Sequence, residues 1–184
     1  ATTGDITATA KGSIATDELG TLNATNVGLN ATNNIGLNAK ADAATNMNVT
    51  AGNNITFNKA LTAGTDMNIS ATAGNILGEA NVLAKTGNVA VDNLKGDTTL
   101  KGTVTATAGK VTVDNQKGNI TLAGAVTAGS TVGITDTEGN IDTKAVQGTI
   151  IDITADEGNI VMGGAINATT GDITATAKGS IATD

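Results

Sequence analysis

The chain contains no cysteine, histidine, arginine, proline, tryptophan or tyrosine, and Phe57 is its single aromatic residue. Each absence removes a class of architecture or chemistry. Without cysteine there is no disulfide and no thiolate metal site, so cysteine usage reports no redox compartment. Without histidine and arginine, the commonest proton-transfer group and the fork-shaped clamp for carboxylate or phosphate are both missing. One aromatic residue in 184 argues against an ordinary globular core, where large rings carry much of the buried area. The lack of proline suits a chain in which nearly every backbone N–H is needed for a hydrogen-bond ladder. No apolar run reaches membrane-spanning length, and no charged-then-apolar leader opens the sequence, as expected of a window from inside a longer chain. The net charge is −7, with no basic cluster and no stacking aromatics, which disfavours nucleic-acid binding.

What is present is a ruler. The run Gly118-Asn119-Ile120-Thr121-Leu122 returns in variant form along the whole chain. Its opening positions are Ile14, Ile35, Ile55, Ile76, Thr98, Ile120, Ile141, Ile160 and Ile181, at spacings of 21, 20, 21, 22, 22, 21, 19 and 21. A repeat of this length is the mark of a solenoid, in which each coil buries its apolar side chains on its neighbours. The isoleucines Ile14, Ile35, Ile55, Ile76, Ile120, Ile141 and Ile160 are therefore expected to stack as a core column, with Thr98 a local weakening that Leu100 partly offsets. Two residues before each opener stands Gly or Asn, the residues that enter left-handed backbone conformations most cheaply, so a corner is expected there. Directly before the opener stand Asn34, Asn54, Asn75, Asp97, Asn119, Asn140 and Asn159, which can form a ladder with each amide bonding the ones above and below.

A second register runs beside the first. The pairs Val27/Leu29, Met47/Val49, Met67/Ile69, Val89/Val91, Val111/Val113, Val132/Ile134, Ile151/Ile153 and Ile173/Ala175 each begin eight or nine residues before the next opener. A looser apolar position lies between the two, at Leu61, Leu83, Val104, Val126, Val146 and Ile166. Three short strands per coil follow, each alternating inward and outward residues. The fold class is thus all-β: a right-handed parallel β-helix, or β-solenoid, of about 21 residues per coil, right-handed because parallel crossovers are. The least regular stretches, 17–26 and 77–86, are expected to be bulged corners.

A longer period encloses the short one. Residues 1–17 and 168–184 both read ATTGDITATAKGSIATD. The chain is therefore one 167-residue repeat of eight coils, residues 1–167, plus the start of the next, residues 168–184, in a single continuous solenoid segment without a domain boundary. At about 4.8 Å per coil, each repeat adds roughly 38 Å of length.

Charge is banded along that axis. Lys85, Lys95, Lys101, Lys110 and Lys117 outnumber Asp92, Asp97 and Asp114, whereas Asp136, Glu138, Asp142, Asp152, Asp156 and Glu157 face only Lys144. Bands of opposite sign can set an axial stagger between filaments lying side by side. The acids are read as solvated corner charges. A hydrolase or lyase site would need clustered carboxylates with a basic partner, and a calcium site would need a denser oxygen-ligand motif than the lone Gly163-Gly164 pair suggests. No Thr-x-Thr array follows the openers, so an ice-binding face is not expected either. Seven Asn-x-Ser/Thr sequons, at Asn23, Asn30, Asn48, Asn54, Asn68, Asn119 and Asn167, arise from composition.

The run Gly118-Asn119-Ile120-Thr121-Leu122-Ala123-Gly124-Ala125-Val126-Thr127-Ala128-Gly129 resembles the repeats of filamentous haemagglutinin-like exoproteins, the large bacterial adhesins exported by two-partner secretion. The likeness continues at Ala51–Ile55, Ala73–Ile76 and Glu157–Ile160. It implies a right-handed parallel β-helix serving as the shaft of a surface fibre or adhesin. The expected role is a structural, non-catalytic shaft segment at the bacterial cell surface, with no catalytic, metal or cofactor-binding residue and no membrane insertion. Its expected partner is itself, end to end and laterally. The alternative is the shaft of a single-chain adhesin whose receptor-binding tip lies outside this segment.

Overall fold

The computed structural model describes residues 3–183; Ala1, Thr2 and Asp184 of the two identical end segments lie outside it. Residues rich in Ile, Val and Thr extend readily because branching at Cβ favours the pleated backbone, and Gly-Asn, Asn-Asn, Gly-Ser or Gly-Asp dipeptides interrupt them before each opener. The outcome is 26 short strands and no helix among the described residues. They stack into three parallel sheets of nine, nine and eight strands, so the chain is a β-solenoid.

Sheet I contains the longest strands, from Ile6–Ala10 through Met47–Ala51 and Val111–Asn115 to Ile173–Ala177. Sheet II begins at Ile14–Thr16 and ends at Ile181–Thr183, and each of its strands starts at an opener position. Sheet III runs from Thr21–Ala24 to Ile166–Ala168. Within a strand the burial alternates, as in Met47–Ala51, whose first, third and fifth residues are buried. Inward side chains from all three sheets form one continuous hydrophobic core. Each coil covers the one before it and hydrogen-bonds to it along the axis, at the corners as well as in the strands: Thr72 N donates to Ala51 O at 3.1 Å and Gln116 N to Asn93 O at 2.9 Å.

The register is in step with the sequence ruler. Ile14, Ile35, Ile55, Ile76, Thr98, Ile120, Ile141, Ile160 and Ile181 are paired in unbroken succession in sheet II. In sheet I the succession is Ile6, Val27, Met47, Met67, Val89, Val111, Val132, Ile151 and Ile173. Ile6 and Ile173 occupy the same place in the two identical segments and stand in the same column of the same sheet. The 167-residue period is therefore a whole number of coils.

Several local expectations need correction. In sheet III the inward residue of the fourth strand is Val82, which pairs with Leu61 and Val104, while Leu83 points outward and is half-buried. The same sheet already begins with Leu22 and Ala41, which the looser sequence register missed. The bulge expected over 17–26 is confined to 17–20, because Thr21–Ala24 pairs regularly with Lys40–Ala43. The stretch 77–86 likewise contains regular strand at Leu77, Gly78 and Val82–Ala84. Left-handed backbone at the pre-opener corners is limited to Gly96 (φ 118°) and Gly118 (φ 112°) among the described residues. At Gly118 a Cβ would also run into the Gly96 carbonyl, so that corner excludes side chains on two counts.

Candidate functional site

The residues singled out in the sequence line one corner of the solenoid. Ile35, Ile55, Ile76, Ile120, Ile141 and Ile160 are buried, and Ile14 is half-buried on the first coil. Immediately before them Asn34, Asn54, Asn75, Asp97, Asn119, Asn140 and Asn159 form a directional chain along the corner. Each side-chain oxygen accepts the main-chain N–H of the next rung: Asn54 N to Asn34 Oδ1 at 3.1 Å, Asn75 N to Asn54 at 2.8 Å, Asp97 N to Asn75 at 2.8 Å and Asn119 N to Asp97 at 2.8 Å. It continues through Asn140 N to Asn119 at 3.1 Å, Asn159 N to Asn140 at 2.9 Å and Ser180 N to Asn159 at 2.8 Å. Amide-to-side-chain bonds accompany only some rungs, as at Asn54–Asn34 and Asn140–Asn119, both 3.0 Å. The side chains thus satisfy corner N–H groups that strand pairing leaves over.

A second chain of the same design was not foreseen. It precedes sheet I and runs Asp5, Asn26, Asn46, Asp66, Asn88, with Asn26 N bonding Asp5 Oδ1 at 3.1 Å and Asn88 N bonding Asp66 Oδ1 at 2.8 Å. It ends where Lys110 N donates to Asn88 Oδ1 at 3.0 Å. The signal was in the sequence, since Asn26, Asn46, Asp66 and Asn88 each stand one place before the second apolar register.

The acidic residues do not converge. Glu138 pairs with Lys117 at 3.0 Å, Glu157 pairs with Lys178, and Glu79 pairs with Lys101 at 2.7 Å, all between exposed corners one coil apart. Such exposed pairs contribute little to stability. No cluster of three or more metal-ligating side chains occurs among the described residues. Asp92 and Asp114 are register partners on the outer face of sheet I, at a shallow groove also lined by Ser70, Thr72 and Gln116. Burial, and then repulsion from Asp114, hold the Asp92 carboxyl above its usual range.

Asp136 is the exception to the reading of solvated corner charges: it lies inside the solenoid with 0 % of its surface exposed. The sheet I strands are long enough for their fifth inward-outward step to face the core. That step is alanine in most coils but Asn93, Asn115 and Asp136 in three successive ones. The amides of the two asparagines are used, although Asn93 Oδ1 has no partner. Asn93 Nδ2 donates to Gly96 O at 3.1 Å and Asp97 O at 3.2 Å, and Asn115 Nδ2 donates to Gly96 O at 3.2 Å. Thr98, itself fully buried, donates its hydroxyl to Asn115 Oδ1 at 3.0 Å and accepts from Asn93 Nδ2 at 3.3 Å. Thr98 is thus a polar joint in the core rather than a gap in it. Neither oxygen of Asp136 has a hydrogen-bond partner. Burial pushes its carboxyl up to about 6, against the lowering effect of the nearby Glu138 and Gly139 N–H groups and the Asn115 amide, none of which reaches hydrogen-bond geometry.

What this arrangement offers chemically is a rod laddered along its axis by main-chain hydrogen bonds, with a few buried polar atoms left unpartnered, both carboxylate oxygens of Asp136 among them. Comparison with protein-family models, with curated proteins and with solved structures finds no match for the chain.

Proposed function

We propose that the chain is a structural, non-catalytic repeat segment forming the shaft of an extracellular bacterial filament that self-associates into fibres. The supporting observation is the placement of Ile6 and Ile173, identical positions of identical segments, in one column of sheet I. A repeat whose sequence period is a whole number of coils can be followed by another with no change of register. Ladders, core columns and the pre-opener asparagine chain, through the serine that is Ser13 in one segment and Ser180 in the other, then run on across the junction. In such a stack stability grows with the number of coils, and length is gained by duplication. Lateral association is the role assigned to the charged bands, whose exposed Lys and Glu side chains sit at corners and remain accessible to a neighbouring rod.

The test is negative-stain electron microscopy of a chain of several 167-residue units at low and high salt. Filaments longer than one chain, or bundles that loosen with salt, are the expected result. Single rods whose length equals units times roughly 38 Å, with no salt-dependent association, would favour instead the shaft of a single-chain adhesin with its binding tip elsewhere.

A further inference from the structure

The three polar rungs at the inner end of sheet I are not equivalent. Asn93 and Asn115 each carry an amide that donates to the main-chain carbonyls of the corner, and Thr98 supplies a hydroxyl to Asn115. Asp136 stands directly on Asn115 and beneath Ala155, but its coil has isoleucine where Thr98 stands, at Ile120 below and Ile141 above. The hydroxyl that Thr98 gives to Asn115 thus has no counterpart at this register position. An ionised carboxylate has no hydrogen to give, so the bond that its two neighbours make to the corner is closed to Asp136 unless it carries a proton.

We propose that Asp136 is a proton-operated latch: protonated, it completes the interior polar column and fastens the corner over residues 137–140; ionised, it leaves a buried charge faced only by the Glu138 and Gly139 N–H groups and the Asn115 amide, none in hydrogen-bond geometry, and the corner loosens. The electrostatic surroundings favour the neutral form. On the strands and corners packed against it the charged groups are Asp114 below, Asp152, Asp156 and Glu157 above, Glu138 in its own corner, and Asp142 with Lys144 on the adjoining sheet II strand and turn. Lys117, the cation nearest in the corner below, is exposed and already paired with Glu138. No ion pair to Asp136 occurs among the described residues. A buried carboxylate so placed lowers its free energy by taking up a proton.

The sign of the pH effect follows. The folded chain holds this proton up to about pH 6, whereas the unfolded chain releases it near 3.8. The stabilisation is fully present below the unfolded value and is lost as pH rises through about 6. The difference corresponds to about a hundredfold in the folding equilibrium. This is opposite in sign to acid denaturation, and it does not depend on the filament reading.

Two measurements test it. The first is a carbon-13 titration of the Asp136 carboxyl in the folded wild-type chain, in metal-free buffer; a midpoint well above the ordinary aspartate range is expected. The second is denaturant unfolding of wild type and Asp136→Asn between about pH 4 and pH 8. Asparagine already fits this column at two rungs, so the variant keeps its shape. Wild type is expected to gain about a hundredfold in folding equilibrium on acidification relative to the variant. An ordinary aspartate midpoint overturns the proposal, as do parallel pH profiles for the two chains. It is likewise overturned if added calcium chloride, rather than acid, removes the difference between them, because a cation would then be what the carboxylate holds.

Discussion

Thr98 Oγ1 donates a 3.0 Å hydrogen bond to Asn115 Oδ1, tying a sheet II opener to the inner end of the sheet I strand in the following coil. Both residues are fully buried, so neither can turn to water when the other is removed. Thr98→Val is expected to cost about 1–3 kcal/mol, the usual penalty for leaving a buried acceptor without its donor. Replacing the whole group, Thr98→Ile with Asn93→Ala and Asn115→Ala, gives the combination found one coil earlier at Ile76 and Ala71. Its loss in urea unfolding should be well below the sum of the single losses. Additive losses would mean that the three residues do not act as one network.

Phe57 and Gly78 are register partners in sheet II, and the ring fills the space that a side chain at Gly78 would take. Gly78→Ala is therefore expected to destabilise by about 1–3 kcal/mol through overpacking. Phe57→Leu, which matches Leu37 in the coil below, should relieve much of that loss in the double variant. Thermal unfolding of the three variants decides it, and a double variant no better than Gly78→Ala would refute the size-complementarity argument.

Thr143 is buried with its hydroxyl unpartnered, in a column whose two preceding members are Leu100 and Leu122. Thr143→Val keeps the shape and removes the orphan oxygen. A gain of about 1 kcal/mol in denaturant unfolding is expected; a loss would show that the hydroxyl has a partner after all.

Asn119 accepts the Asn140 N–H and donates its amide to Asp97 at 3.3 Å, at an exposed corner where water can substitute. Asn119→Ala should therefore cost only about 0.5–1.5 kcal/mol. Faster hydrogen exchange at the Asn140 amide, and not at amides on the opposite sheet, is the accompanying signature. The same substitution at Asn88 should expose the Lys110 amide in the same way.

Much of the fold was legible in the sequence because a solenoid writes its geometry as a period. Openers such as Ile55 and Ile120 recur where the chain re-enters sheet II, and pairs such as Met67/Ile69 recur where it re-enters sheet I. The reading failed where a period does not fix a direction. At Val82 and Leu83 two apolar neighbours compete for one inward position, and only the pairing with Leu61 and Val104 selects the first. The second asparagine chain was equally visible, at Asn26, Asn46 and Asn88, but its use depends on which main-chain N–H groups the corners leave free.

The sequence alone determined the coil length, the three strands per coil, the parallel stacking and the whole-number relation between coil and long repeat. These follow from apolar periodicity, since an inward side chain must find the same column one coil later. Only the tertiary structure decided that Asn93, Asn115 and Asp136 face the core, that Thr98 is their joint and that the two Asp136 oxygens are left unpartnered. A polar residue at a strand's end can face in or out, and the choice rests on how far the sheet I strand extends before the corner turns. That length is set by contacts with the coils above and below, which lie about twenty residues away along the chain.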